Sequence, residues 1–259
     1  MRSRIALAII IAAGVIVIGT SAWTINEIGK NNRAIFSMTD SIAALTRTVD
    51  RLRPATVGHE HSDVRQFVIR AHLAHAVGPV VVFGDSITEA AVLPSAICGH
   101  AVVNAGIGGA GVDALLKDAP LLLEGKSPAL VVLAIGTNDA YATPGREQQF
   151  RESYTALLHR LALLAPRLVV ANIPPVDPKG PLTAATGIDA SLIERYNLIL
   201  PRLALDAGAS FIDLNKAVSA EGAIETIDGV HLAPRAYGSW NAALLEGVAR
   251  GLNCYPGGD

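Results

Sequence analysis

A serine, a histidine and an aspartate in this sequence have the types and spacing of a proton-transfer chain. Ser86 lies in the segment 84–88, Gly-Asp-Ser-Ile-Thr, and Asp228 precedes His231 by three positions in the segment 228–232, Asp-Gly-Val-His-Leu. A serine hydroxyl becomes a nucleophile when a base removes its proton, and a carboxylate beside that base orients the imidazole and stabilises its cation. The pattern predicts acyl-transfer chemistry with Ser86 as nucleophile, His231 as base and Asp228 as its orienting partner.

Each motif alone also fits an ordinary structural role. Gly-Asp-Ser is more often a turn or a helix N-cap than a nucleophile, and a loop histidine is often only exposed. Position along the chain favours His231 as the base, because it follows the last predicted strand. The histidines at 72, 75, 100 and 159 are less well placed. Of these, His72 and His75 fall on a helix before the first strand, His100 precedes the second strand, and His159 lies in mid-helix.

Three neutral donors are candidates to stabilise the oxyanion that forms when a serine attacks an ester. They are the backbone N–H of Ser86, the backbone N–H of Gly109 and the side-chain amide of Asn138. Glycine lets a main-chain donor approach the substrate without a Cβ, and an amide donates without burying a charge. All three follow predicted strands.

The elements that must position these residues follow an α/β pattern. Short β-branched runs alternate with helical periodicity, which predicts a parallel five-stranded sheet between two helical layers. In such sheets ligands bind at the carboxyl ends of the strands, where the motifs lie. The predicted strands are 80–83, 101–104, 130–135, 168–172 and 210–213, and the predicted helices are 63–76, 113–123, 146–164, 190–207 and 234–252, with a short one at 89–97.

In this order, the motifs resemble the SGNH hydrolase family, also called GDSL esterases and lipases. The four residues of its name match Ser86, Gly109, Asn138 and His231, and the family's aspartate matches Asp228. The resemblance covers about 80–252 and implies a flavodoxin-like three-layer α/β/α domain. Two departures are mild: isoleucine replaces the leucine of the family's motif at 87, and Ala-Gly stands at 110–111, where Asp and Thr are common.

The resemblance implies a serine esterase that works through an acyl-enzyme and needs no cofactor. We expect a small-molecule or glycan ester as substrate. We expect its acyl group to be short, because the loops 140–145 and 174–187 contain no long apolar run. Two alternatives stay open: an acyltransferase on the same scaffold, and a non-catalytic envelope protein that binds a glycan or a partner.

The N-terminus predicts a membrane segment ahead of the catalytic domain. Arg2 and Arg4 precede the uncharged apolar run 5–23, so we expect a transmembrane signal anchor over residues 1–23, with the rest exported to the periplasmic or extracellular side. The other interpretation is a secreted protein whose signal peptide is cleaved near 20–22. The catalytic domain is expected over 63–259.

Residues 24–62 are expected to form a helical stalk and a linker. Apolar residues at heptad spacing, Ile28, Ile35, Ile42 and Val49, favour a parallel homodimeric coiled coil through 25–53, and a single amphipathic helix is the alternative. The polar segment 55–62 is taken as a linker. Its residues His59, Glu60 and His61 are interpreted as solvated, so no metal site is predicted.

Charge and cysteine content bear on partners and on redox state. A net charge of −2 and an aromatic content of 5% argue against a nucleic-acid partner. Cys98 and Cys254 each follow a predicted helix at the edge opposite the motifs, so either a disulfide or two free thiols is expected.

Overall fold

The computed structural model describes residues 60–219 and 224–254. The predicted membrane anchor and dimeric stalk therefore lie outside the described residues, and so does nearly all of the linker. Within the part of the chain that is described, no helix is long and apolar enough to cross a bilayer.

A six-stranded sheet forms the centre of the domain, in the order β2-β3-β1-β4-β5-β6. Strands β1, β3, β4, β5 and β6 are parallel, as predicted, whereas β2 runs antiparallel to β3. The sheet is therefore mixed, and the prediction of five parallel strands missed one. The strands are β1 Val80–Gly84, β2 Ala96–Ile97, β3 His100–Gly106, β4 Leu130–Ala134, β5 Leu168–Ala171 and β6 Ser210–Ile212.

The predicted helix at 89–97 is wrong. Pro94 disfavours helical backbone in the residue before it. Cys98 and Gly99 then both take positive φ, 49° and 76°, the geometry of a two-residue hairpin turn. This turn pairs Ile97 with His100 and so creates the extra antiparallel strand.

Helices cover both faces of the sheet, and the strand residues alternate between two cores. Val81 and Phe83 belong to the core beneath α1, α3, α4 and α6, whereas Val80 and Val82 belong to the core beneath α7 and α8. The three-layer expectation is met, and the short helices α2, α5 and α7 were not predicted. The helices are α1 His61–His75, α2 Ser86–Glu89, α3 Val112–Leu122, α4 Arg146–Ala162, α5 Pro181–Thr186, α6 Ala190–Asp206, α7 Leu214–Val218 and α8 Pro234–Leu252.

Cys98 and Cys254 are joined as a disulfide, with their Cα atoms 6.3 Å apart. The sequence left a disulfide and two free thiols as alternatives, and the structure contains the disulfide. The bond fixes the segment that follows α8 to the turn between β2 and β3.

Candidate active site

Ser86 begins α2 directly after the central strand β1. Asp85 caps this short helix, accepting a hydrogen bond from the Ile87 N–H at 2.9 Å. Burial raises the pKa of Asp85, which is only 1% exposed, and the Ile87 N–H opposes that effect. Gly84 allows the sharp exit from β1, because a Cβ there would lie 2.5 Å from the Ala134 oxygen.

The three residues predicted for proton transfer lie together. His231 Nε2 is 2.8 Å from Ser86 Oγ, and His231 Nδ1 is 2.6 Å from Asp228 Oδ2. With the proton on Nδ1, the ring donates to Asp228 and leaves Nε2 to accept from the serine hydroxyl. The geometry is that of a base already in contact with its nucleophile.

The Asp228 carboxylate is held by the backbone of its own loop. Its Oδ1 accepts from the N–H of Val230 at 3.0 Å and from the N–H of His231 at 2.8 Å. Burial raises the pKa of Asp228, but the hydrogen bonds from the His231 side chain and from these two N–H groups outweigh it and lower the pKa below its usual value. Asp228 therefore stays ionised beside the imidazole.

A neighbouring turn fixes this loop, which we call the His231 loop (residues 224–233). The Asp177 N–H donates to the Gly229 oxygen at 2.8 Å, and the Leu182 N–H donates to the Asp228 oxygen at 2.9 Å. Gly180 packs directly on Gly229. The sequence analysis gave the segment 174–187 only a role in substrate choice and missed this support.

The two remaining predicted donors lie in loops on either side of Ser86, because β1 lies between β3 and β4 as predicted. Gly109, at φ 78°, belongs to the loop after β3, which we call the oxyanion loop (residues 107–111). Asn138 lies in a 3₁₀ turn after β4, Thr137–Asp139, and its Nδ2 donates to the Ala110 oxygen at 3.0 Å. This bond joins the two loops and leaves Asn138 a second amide hydrogen to donate.

Asp139 supports the same region, and the sequence analysis gave it no role. Its carboxylate oxygens accept from the Val112 N–H at 3.1 and 3.0 Å and so cap α3. Burial raises the pKa of Asp139 to about 6, against the effect of the Val112 N–H. A Cβ on Gly111 would lie 2.9 Å from Asp139 Oδ1, so a side chain at this position would displace the Asp139 carboxylate.

His61 corrects the description of the linker. It is the first residue of α1, and its Nε2 lies 2.8 Å from Glu89 Oε2, although it had been interpreted as a solvated linker residue. The sequence could not indicate this contact, since the two residues are 28 positions apart.

An α/β domain with a serine, histidine and aspartate aligned at the carboxyl edge of its sheet has the architecture of a serine hydrolase. Residues 82–238 match the model of the GDSL-like Lipase/Acylhydrolase family. Because this match spans more than half of the chain, the chain belongs to that family, within the SGNH hydrolases, and is an enzyme of the serine esterase class. No curated protein matches the sequence.

Solved structures share the fold. A protein from Streptococcus pneumonia is 22% identical, with a TM-score of 0.62 over 77% of this chain and 97% of its own. The lipase/acylhydrolase from Enterococcus faecalis is 22% identical, with a TM-score of 0.54 over 70% and 100%. Est24, a carbohydrate acetylesterase from Sinorhizobium meliloti, is 18% identical, with a TM-score of 0.57 over 66% and 98%.

Proposed function

We propose that this enzyme hydrolyses esters of short acyl groups through an acyl-enzyme formed on Ser86. The observation that carries the proposal is the continuous chain from Ser86 Oγ to His231 at 2.8 Å and from His231 to Asp228 at 2.6 Å. In this arrangement a base is already placed to take the serine proton, and an ionised carboxylate stabilises the imidazolium that results.

The reaction runs in two halves. Ser86 Oγ attacks the ester carbonyl while His231 Nε2 takes its proton, and the imidazolium then protonates the leaving alcohol, which leaves an acyl-serine. A water molecule next gives a proton to His231 and attacks the acyl carbon. His231 returns that proton to Ser86 Oγ as the carboxylic acid leaves. Asp228 remains ionised throughout.

The oxyanion of each tetrahedral intermediate accepts from the donors that flank Ser86. The Ser86 N–H lies in the first turn of α2, so it has no partner within that helix. The Gly109 N–H and the second amide hydrogen of Asn138 complete the set. Neutral donors fixed before the reaction stabilise developing charge without reorganisation, and removing one typically costs about 10²–10³-fold in kcat.

A small cavity beside the oxyanion loop supports short acyl groups. Its volume is about 210 Å³, and Ile107, Gly109, Ala110 and Leu115 line it. A cavity of roughly 150 Å³ accommodates benzene, so this one suits an acetyl or butyryl group better than a long chain. The fold shared with a carbohydrate acetylesterase favours acetyl esters of glycans as the natural class.

Export is part of the proposal. The apolar run 5–23 supports export of the catalytic domain from the cytoplasm, and the disulfide between Cys98 and Cys254 adds support, because disulfides persist in oxidising compartments.

Release of acid from p-nitrophenyl esters of increasing chain length tests the activity. We expect hydrolysis of the acetate and butyrate esters by the wild type and its loss in Ser86→Ala. No hydrolysis by the folded wild type would contradict the esterase. Transfer of the acyl group to an added sugar at the expense of acid release would instead identify an acyltransferase.

A further inference from the structure

We propose that Glu89 is a positioning residue that fixes the oxyanion loop, and that Arg65 and His61 of α1 hold Glu89 in place. This inference rests on the proposed function, because it assigns the Gly109 N–H to the oxyanion.

The contact between Glu89 and the oxyanion loop is direct. Glu89 ends α2, the helix that Ser86 begins, and its Oε2 accepts from the Gly108 N–H at 2.6 Å. Gly108 immediately precedes Gly109, so fixing its peptide restricts the orientation of the next N–H. One helix of a single turn therefore carries the nucleophile at its start and the anchor of the oxyanion loop at its end.

Arg65 ties the same carboxylate to the end of β3. Its Nε lies 3.2 Å from Glu89 Oε1, and its guanidinium also donates to the Gly106 oxygen, from Nε at 3.1 Å and from Nη2 at 2.9 Å. The side chains of Arg65 and Glu89 are 18% and 21% exposed, so solvent screens this pair only partly. The Arg65 guanidinium therefore holds the end of β3, and the Glu89 carboxylate holds the start of the oxyanion loop at Gly108.

The oxyanion loop needs such an anchor because glycine is its main component. Gly108, Gly109 and Gly111 have no side chain to restrict them, and around Gly109 there is open space where a Cβ would stand. An unanchored loop would sample many conformations, and the donor would have to be ordered during each reaction cycle. Preorganised donors avoid that cost.

The helix that supplies two members of this cluster lies outside the matched family segment. The family match begins at residue 82, whereas α1 spans His61–His75. His61 remains 60% exposed and adds a third contact to Glu89, so we expect its contribution to be smaller than that of Arg65.

The test compares Glu89→Ala and Glu89→Gln with Glu246→Ala, a matched control. Glu246 pairs with Arg250 on the surface of α8 and is 70% exposed. The kcat and KM for p-nitrophenyl acetate are measured on the full chain, with folded sites counted by titration with a fluorophosphonate. Exchange of the Gly108 amide with solvent is followed by NMR in the same variants.

In Glu89→Ala, we expect kcat per titrated site to fall by roughly 10–100-fold, less than for a deleted donor, with KM little changed. Glu89→Gln should recover part of this loss, because its amide oxygen can still accept from Gly108. The control should match the wild type. The Gly108 amide should exchange faster in Glu89→Ala.

Failure of the inference and failure of the proposed function give different results. An active wild type that loses activity in Ser86→Ala, together with an unchanged kcat in Glu89→Ala, would overturn the role of Glu89 alone. Should the wild type be inactive on every ester, the amide exchange still decides whether Glu89 holds the loop, and unchanged exchange in both Glu89 variants would overturn it.

Discussion

Gly180 and Gly229 meet backbone to backbone, so closely that a Cβ on Gly180 would lie 2.2 Å from the Gly229 Cα. Because Gly229 stands between Asp228 and His231, this contact holds the loop that carries both residues. Gly229 also takes a backbone φ of 99°, a conformation that residues other than glycine rarely adopt.

Gly180→Ala should therefore displace the His231 loop. We expect a loss of about 1–3 kcal/mol in the free energy of unfolding, as is typical of overpacking, together with a lower kcat. Urea denaturation and ester hydrolysis measure the two effects. Gly238→Ala is the control, since it lies in α8 with open space around it and should be neutral or slightly stabilising. Equal behaviour of the two variants would contradict the role of the contact.

Asn138→Ala should lower kcat by about 10²–10³-fold, because it removes a proposed oxyanion donor and the hydrogen bond to the Ala110 oxygen. The matched control is Asn241→Ala on α8, which removes a hydrogen bond to the Val92 oxygen. Steady-state kinetics on p-nitrophenyl acetate compare the two. A kcat for Asn138→Ala within twofold of the control would remove Asn138 from the oxyanion hole.

Asp139 should make the free energy of unfolding of the domain depend on pH in a recognisable way. Burial raises its pKa from 3.8 to about 6, so between these values the folded state binds more protons than the unfolded state. The free energy of unfolding contributed by this group therefore falls as pH rises through that interval and is constant above it. The Asp139→Asn variant keeps an oxygen that can accept from the Val112 N–H. In this variant, the fall in the free energy of unfolding that Asp139 causes should be absent.

Urea denaturation of both proteins at intervals from pH 4 to pH 7 measures the effect of Asp139, because titrating groups that do not interact with Asp139 cancel in the difference. A difference that does not change with pH would show that Asp139 titrates normally in the folded protein.

Ala114→Phe should shift acyl-chain preference. Ala114 lines the 210 Å³ cavity, and a phenyl ring there reduces its volume. We expect the ratio of kcat/KM for butyrate over acetate to fall, with hydrolysis of acetate retained. Because both esters are measured on the same protein, a change in the folded fraction cancels in this ratio. An unchanged ratio would place the acyl group elsewhere.

The proposed catalytic residues were accessible from the sequence because each lies in a short local motif, and Ser86 follows the end of β1 almost directly. The strands themselves followed from runs such as Val80–Gly84, whose residues are all buried. The antiparallel strand β2 was missed because it depends on positive φ at Cys98, a residue whose type does not favour that conformation. The contacts of Glu89 with Arg65 and Gly108 arise only once α1 and the oxyanion loop pack on the same helix, so no sequence spacing indicates them.

The disulfide closes residues 98–254, most of the domain, into a covalent ring. Its two cysteines are 156 positions apart, and the segment between them carries Gly109, Asn138, Asp228 and His231, whereas Ser86 lies ahead of it. A single proteolytic cut anywhere within that ring leaves one molecule whose fragments separate only after reduction. A nicked molecule can therefore keep Ser86 and His231 together for as long as the disulfide stays oxidised.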